Sequence, residues 1–379
     1  MNERRYDLDW LRVIAILLLH LFHCAMPFVA EEGWHIKNKE LSSLMLECNY
    51  FISRWRMPLL FLISGIGTTF IMSSVSKTRY VIQRSKRLLL PLVIGMLLIV
   101  PPQIYFERLF QGIKYDSFLT FYPSIFSTGI YPKGNFFWHH LWFIAYLFVY
   151  SILALPFLLF IKSEKGKKVV SKLANITRKM GMYWCVIPLY LAFLLYFWYP
   201  NDTHALIGDW AMFTKYFTYF ILGSFIGINQ IFWNDIVEKR RQYLKIAFLS
   251  TILINYFRWN DLEPEWGFNL PNLMFIALGI LNVWTWLLTI FGYGKKYLNF
   301  NNKILVYANE GIYPFYILHQ TFIVIIGYYV IQVDESIINK YLFLTFVSFF
   351  LSIGVYDFFI KPYNHIRILF GMKKSKPNG

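Results

Sequence analysis

The chain has 379 residues, 57% hydrophobic and 21% aromatic but only 15% charged, which leaves too little polar surface to coat the two or three soluble domains its length would suggest. Its net charge of +16 could mark a nucleic-acid binder, yet the Lys and Arg sit in short runs between apolar stretches, where the anionic inner leaflet and the positive-inside rule account for them. Cys24, Cys48 and Cys185 are dispersed, indicate neither a disulfide framework nor a metal site, and read as packing residues.

Apolar stretches long enough to span a bilayer fall at about 10–30, 50–73, 87–107, 139–161, 182–199, 212–230, 244–258, 272–292, 312–332 and 341–361. They predict an all-α polytopic membrane protein of about ten transmembrane helices, with one membrane domain over 1–370 and a disordered cytoplasmic tail over 371–379. Arg4 and Arg5 precede the first span as in a signal peptide, but no small-residue cleavage site follows, so it reads as an uncleaved anchor.

Loop charge gives the orientation. Basic residues crowd alternate segments: Arg4 and Arg5, then Lys77 to Arg87, Lys162 to Lys179, Lys239 to Lys245, Lys295 to Lys303 and Lys361 to Lys376. The segments between carry acids: Glu31, Glu32, Glu40 and Glu47; Asp202 and Asp209; Asp261, Glu263 and Glu265; Asp334 and Glu335. That alternation puts both termini in the cytoplasm. The outside stretch 108–138 is long and aromatic enough to fold back over the membrane face.

Ionisable groups inside a span are costly, so each asks for a reason. On the first span Arg12 and His23 lie about 16 Å apart along the axis with an angular offset of about 20°, which puts them on one face. Snorkelling and core packing would also explain the two. His20 projects about 80° from the Arg12 line and reads as supportive. Arg84 and Arg87, three apart at the mouth of the third span, read either as a positive-inside flank or as a phosphate-holding pair, since guanidinium groups grip phosphate oxygens in a fork. Arg54, Arg56, His140, His319 and Asp357 are further candidates for which helix packing or end anchoring is the simpler account. No HExxH, Cys-rich ligand spacing, Walker A loop, dinucleotide fingerprint or GxSxG elbow occurs, so no metal is expected.

These residues together resemble a known pattern. Arg12 and His23, with ten residues between them in a helix that opens DWLRVIA, resemble the R-x10-H signature of the bacterial integral membrane acyltransferases of family 3. MPLLFLISG with Ser64 and Gly65, RSKRLLLP, HLWFI and YPFYILHQ resemble that family's further landmarks in order, over essentially the whole chain. GWHI and SRWRMPLLFLISG look most like the branch that succinylates periplasmic glucans. Where many members carry an acidic residue before a basic residue and proline, this chain has Ile360 before Lys361 and Pro362.

The resemblance implies a bacterial inner-membrane enzyme that moves an acetyl or succinyl group from cytoplasmic acyl-CoA to a hydroxyl of an extracytoplasmic glycan. It also implies catalytic roles for His23 and Arg12 and donor binding by Arg84 and Arg87, with His20, Arg56, His140 and His319 as acceptor-side or supporting residues. Membrane lipid and a cell-envelope glycan are the expected partners, and nucleic acid is not. A transporter or flippase for lipid-linked sugars or small anions would use similar intramembrane charges, but the broken helices in two related halves that such a fold favours are not found. A structural or sensor protein, in which these residues only pack helices, is the third possibility.

Overall fold

The computed structural model describes residues 4–30, 33–72 and 75–375. Glu31, Glu32, Lys376 and the end of the predicted tail lie outside the described residues. Among the described residues the regular structure is helical, with no β-strand. In chain order the main helices are α1 (Tyr6–Ala25), α2 (Ser43–Met72), α3 (Lys77–Arg84), α4 (Leu90–Ile94), α5 (Pro101–Phe110), α6 (Trp142–Leu153), α7 (Glu164–Met180), α8 (Val186–Phe193), α9 (Trp210–Ile228), α10 (Gln230–Glu238), α11 (Arg240–Trp259), α12 (Leu270–Tyr297), α13 (Lys303–Val330), α14 (Ile337–Val355) and α15 (Asn364–Leu369).

Eight helical stretches among the described residues are long and apolar enough to cross a membrane: Tyr6–Phe28, Ser43–Met72, Lys77–Phe110, Glu164–Phe197, Trp210–Ile228, Leu270–Tyr297, Lys303–Val330 and Ile337–Ile360. Each holds one of the ten spans expected from sequence. The other two expected spans are also helical but fall outside this set. The fourth is the shorter apolar helix His139–Leu153, interrupted before Leu155–Phe160, and the seventh lies on α11. The basic run Lys165–Lys179, loop-like by its charge, forms α7 instead. Ser163 caps it by accepting from the Gly166 amide, and Gly166, Val170, Ala174 and Thr177 are buried along one face. Lys77–Phe110 is continuous through two π turns, Ser85–Leu89 and Gly95–Ile99.

Local chemistry sets the helix ends. Asn269, Asn302 and Ser336 begin α12, α13 and α14 by accepting from the amides of Asn272, Leu305 and Asn339. Asp7 and Asp9 sit in the first turn of α1, where the helix dipole favours acids.

The chain divides into two compact units. The first comprises Met1–Arg12, Arg54–Val81 and Val149–Asn301. There α2 and α9 meet backbone to backbone. A Cβ on Gly65 would lie 2.0 Å from the Phe220 carbonyl oxygen, and one on Gly223 would lie 2.2 Å from that of Leu62, so only glycine fits either place. Ser224 Oγ donates to the Gly65 carbonyl across the same contact at 3.3 Å. Where α11 packs on α12, Asn282 Nδ2 donates to the Ala247 carbonyl and to Ser250 Oγ and Thr251 Oγ1, satisfying polar groups that lipid could not.

The second unit comprises Val13–Ser53, Ile82–Phe148 and Asn302–Gly379. Helix α13 runs through its interior, with Ile312 and then Pro314 to Thr321 buried, and packs against α5 and α14. The stretch 108–138 is tied to α5 by Arg108, which donates to Asn135 Oδ1, Gln111 Oε1 and the carbonyls of Pro132 and Gly134. Asp357 accepts from the Tyr307 hydroxyl at 2.7 Å and from Lys361 at 3.2 Å, the partners an acid in that span requires. Of the tail expected to be disordered, residues through Ser375 are described and hydrogen-bonded to α15: Arg367 Nε donates to the Lys373 carbonyl and the Ser375 amide to Asn364 Oδ1. Cys24 and Cys185 are buried packing residues, whereas Cys48 is exposed.

The glycine contact gives the first prediction. Gly223→Val inserts a side chain against the Leu62 backbone, which cannot retreat without moving α2. The variant should lose about 1–3 kcal/mol, read as a lower thermal unfolding midpoint in detergent, while Gly67→Ala, whose Cβ would meet open space, should show no such loss.

Candidate active site

Six histidines of the second unit, His20, His23, His35, His139, His140 and His319, gather near the end of α1. His23 lies on the last turn of α1, and His319 on α13 is fully buried. Their ring planes are nearly parallel, with an interplanar angle of 4° and centroids 5.1 Å apart, and His23 Nδ1 lies 2.9 Å from His319 Nε2, so the rings meet edge to edge. The neighbours assign the proton between them. His319 Nδ1 lies 2.6 Å from the Tyr316 carbonyl oxygen, which can only accept, so His319 donates from Nδ1 and a neutral ring offers Nε2 as acceptor. His23 must then donate from Nδ1, which leaves the lone pair of the neutral imidazole on His23 Nε2.

A second relay runs alongside. The Thr321 hydroxyl donates to the Ile99 carbonyl and must therefore accept from Gln103 Nε2 at 2.7 Å, which fixes the orientation of the Gln103 amide. Gln103 Oε1 accepts in turn from Gln320 Nε2 at 3.2 Å, and Gln320 Nε2 also lies 3.1 Å from His35 Nε2. His35 Nε2 is thereby the acceptor, and His35 Nδ1 donates to Glu107 Oε2 in a very short contact. Glu107 Oε1 accepts from the Tyr131 hydroxyl at 3.0 Å and from Gln111 Nε2 at 3.3 Å. Burial, with the Glu107 carboxylate beside it, pushes Tyr131 well above its ordinary pKa, so the phenol keeps the proton it donates. Trp34 joins the two relays, its ring 5.2 Å from His23 and 5.3 Å from His35.

His140 and His20 support this centre. His140 Nε2 donates to the Ile317 carbonyl at 3.0 Å, its Nδ1 faces Gln103 Nε2 at 3.4 Å, and its ring stands edge-on to His319 at 5.5 Å. His20 Nε2 donates to the Thr345 carbonyl at 3.1 Å, with its ring 6.0 Å from His319. The structure thus gathers His23, His20, His140 and His319 of the expected residues. It adds His35, Glu107, Gln103, Gln320 and Trp34, which sequence reasoning misses, although GWHI and the HQ of YPFYILHQ hold three of them.

Arg12 belongs to the first unit and lies 3.4 Å from Asp9 Oδ1, one turn back on α1. Arg56, on α2, is buried in that unit as well. Arg84 ends α3 and Arg87 sits within the π turn Ser85–Leu89 that follows it. Arg84 is half-buried, Arg87 is exposed, and the Arg87 carbonyl accepts from the Tyr313 hydroxyl at 3.0 Å. Among the described residues no three His, Cys, Asp or Glu side chains are placed to hold a metal ion.

A family model described as an acyltransferase domain matches residues 5–357. The glucans biosynthesis protein C of Escherichia coli SMS-3-5 is 25% identical over 345 residues, covering 86% of this chain and 84% of that protein. The protein of the same name from Escherichia coli O157:H7 is 25% identical over 348 residues with the same coverage, and that from Escherichia coli O139:H28 is 24% identical over 344. No solved structure matches.

The proton assignment predicts a spectroscopic signature. In protein labelled with nitrogen-15 at histidine, above neutral pH, His23 should show a protonated Nδ1 and a bare Nε2. His319→Phe should abolish that preference and allow both tautomers. A wild-type His23 with the proton on Nε2 would reverse the assignment.

Proposed function

The chain belongs to the acyltransferase domain family, and on that premise we propose that this membrane acyltransferase moves an acetyl or succinyl group from cytoplasmic acyl-CoA to a hydroxyl of an extracytoplasmic glycan, with His23 as general base. The observation that carries the reading is the His23–His319 hydrogen bond, because it turns the lone pair of a buried neutral imidazole onto Nε2, as a general base requires. As the acceptor oxygen bonds to the thioester carbonyl carbon, its proton passes to His23 Nε2. The carbon–sulfur bond then breaks and the leaving thiolate takes that proton, giving the ester and free coenzyme A. Through the reaction the His23 Nδ1–H stays bonded to His319, which holds the ring in one orientation.

Arg84 and Arg87 serve as donor-binding residues, one at each side of the change from α to π winding, with guanidinium groups suited to the phosphates of coenzyme A. Arg12, about 16 Å before His23 on α1, extends positive charge from the cytoplasmic end of that helix. His140, His319 and His20 support the base, and Arg56 is an acceptor-side residue. The name of the relatives, glucans biosynthesis protein C, makes a glucan the first acceptor to test.

We place the protein in the bacterial inner membrane with ten crossings and both ends in the cytoplasm. The eight long helices are completed by His139–Phe160 and by α11, an arrangement supported by the alternation of basic and acidic loops. Reporters fused after residues 40, 120, 205, 265 and 336 should read outside and those after 80, 170, 240, 300 and 375 inside; a reversal beginning after 240 would remove α11 as a span.

His23→Ala should lower acyl transfer by about 100-fold or more while the protein inserts and accumulates normally. The wild-type rate should fall at low pH once His23 is protonated, since imidazolium cannot accept the hydroxyl proton. Near-normal glycan acylation by well-expressed His23→Ala protein would overturn the assignment.

Arg84→Ala or Arg87→Ala should raise the KM for acyl-CoA more than it harms folding, with Lys at either position restoring binding only in part because it lacks the fork. Unaltered donor dependence in the double Lys variant would make the pair a topology signal alone.

A further inference from the structure

Three buried polar atoms around His35 have no hydrogen-bond partner among the described residues: Trp34 Nε1, His139 Nε2 and Gln320 Oε1. Each belongs to a side chain in contact with the His35 ring. The Trp34 ring lies 5.3 Å from it and the His139 ring 4.9 Å, while Gln320 Nε2 lies 3.1 Å from His35 Nε2. A buried polar atom without a partner has lost the hydrogen bond that water would have given it, so three in one place mark either a ligand site or a pocket of ordered water.

The set is chemically mixed. Trp34 offers an N–H that can only donate, Gln320 an oxygen that can only accept, and His139 a nitrogen whose role depends on its tautomer. Such a set fits hydroxyl groups, which donate and accept at once, and it fits neither a phosphate nor an ammonium group, which do only one of the two. Gln320 cannot turn to relieve its oxygen, because Gln103, Thr321 and the Ile99 carbonyl hold its amide nitrogen in place. The aromatic surroundings suit a sugar as well. Trp34 is half-buried, and the His139 ring stands against Tyr131 at 4.7 Å and Phe137 at 5.6 Å, which supplies apolar faces for the C–H side of a pyranose.

We infer that Trp34, His139 and Gln320 form a hydroxyl-binding subsite for the acceptor sugar, with the His35–Glu107 pair as the positioning device that holds them. This rests on the reading of the protein as a glycan acyltransferase and adds where the acceptor is recognised. Trp34 also touches the His23 ring, so a sugar seated here presents one hydroxyl to the base while the subsite reads a neighbouring one. Glu107 keeps the His35 proton on Nδ1, leaving Nε2 to accept from Gln320 and so to hold the amide with its oxygen turned to the sugar.

The test uses the full-length protein in detergent or nanodiscs, with acetyl-CoA and succinyl-CoA as donors and a glucan oligosaccharide as acceptor, beside deoxy analogues of its terminal sugar. The wild type should use the analogue lacking the hydroxyl next to the acylated one at least tenfold less well in kcat/KM. Gln320→Met and Trp34→Phe should raise the acceptor KM tenfold or more, leave the acyl-CoA KM in place, and erase most of the discrimination against that analogue. Glu107→Gln should act in the same direction through His35. Equal use of parent and deoxy sugars by an active wild type would overturn the subsite and leave the three atoms to ordered water, a result that needs no variant to fold. Equal rises in donor and acceptor KM in the variants would also overturn it, as general disruption. A wild type that transfers to no glycan would instead remove the glycan-acyltransferase reading itself.

Discussion

The site depends on a single hydrogen bond between two buried imidazoles. Neither His23 nor His319 could stand alone in an apolar helix bundle without losing the partners that water would have given. Paired, they form a directed chain: the Tyr316 carbonyl accepts from His319, and His319 accepts from His23. The direction originates in the backbone. A carbonyl oxygen cannot donate, so α13 settles which nitrogen of a histidine on α1 holds the proton.

The same helix anchors the neighbouring relay. His319, Gln320 and Thr321 are consecutive, and each points its polar group toward a different partner: His23, the Gln103–His35 pair and the Ile99 carbonyl. Because every link has its donor and acceptor fixed by the next, the network has one consistent arrangement, which is how a buried polar cluster specifies geometry rather than merely tolerating it. Carbonyls of Tyr316 and Ile317 serve His319 and His140 in turn. A helix so loaded with polar duties has to be shielded, and its run Pro314–Thr321 is buried throughout.

The span Lys77–Phe110 links two chemistries in one element. Arg84 and Arg87 lie near its start, and Gln103 and Glu107 near its end, so the basic pair and the polar relay are separated by a length of helix of about 30 Å, comparable to the bilayer's hydrocarbon core. Its two π turns alter the winding between them. Each turn rotates the residues beyond it relative to a regular α-helix, so the direction in which Gln103 and Glu107 project depends on both.

Much of this is legible in the chain itself. Runs of apolar residues locate the helices because a bilayer accepts little else, and costly residues inside them, His23, His319, His140 and Asp357, stand out for the same reason. Other features cannot be read from spacing. Lys165–Lys179 is charged enough to pass for a loop, and only its buried face of Gly166, Val170, Ala174 and Thr177 makes it a packed helix. Arg84 and Arg87 have the spacing of neighbours on an α-helix, and the π turn Ser85–Leu89 between Arg84 and Leu90 is not visible in that spacing. Above all, His23 meets His319 across 296 residues and His35 meets Glu107 across 72, and no local periodicity encodes which buried groups will face each other. The sequence determined which residues lipid would not tolerate alone; the packing of helices distant in the chain decided which of them satisfy one another, because a hydrogen bond is set by the approach of two side chains in space.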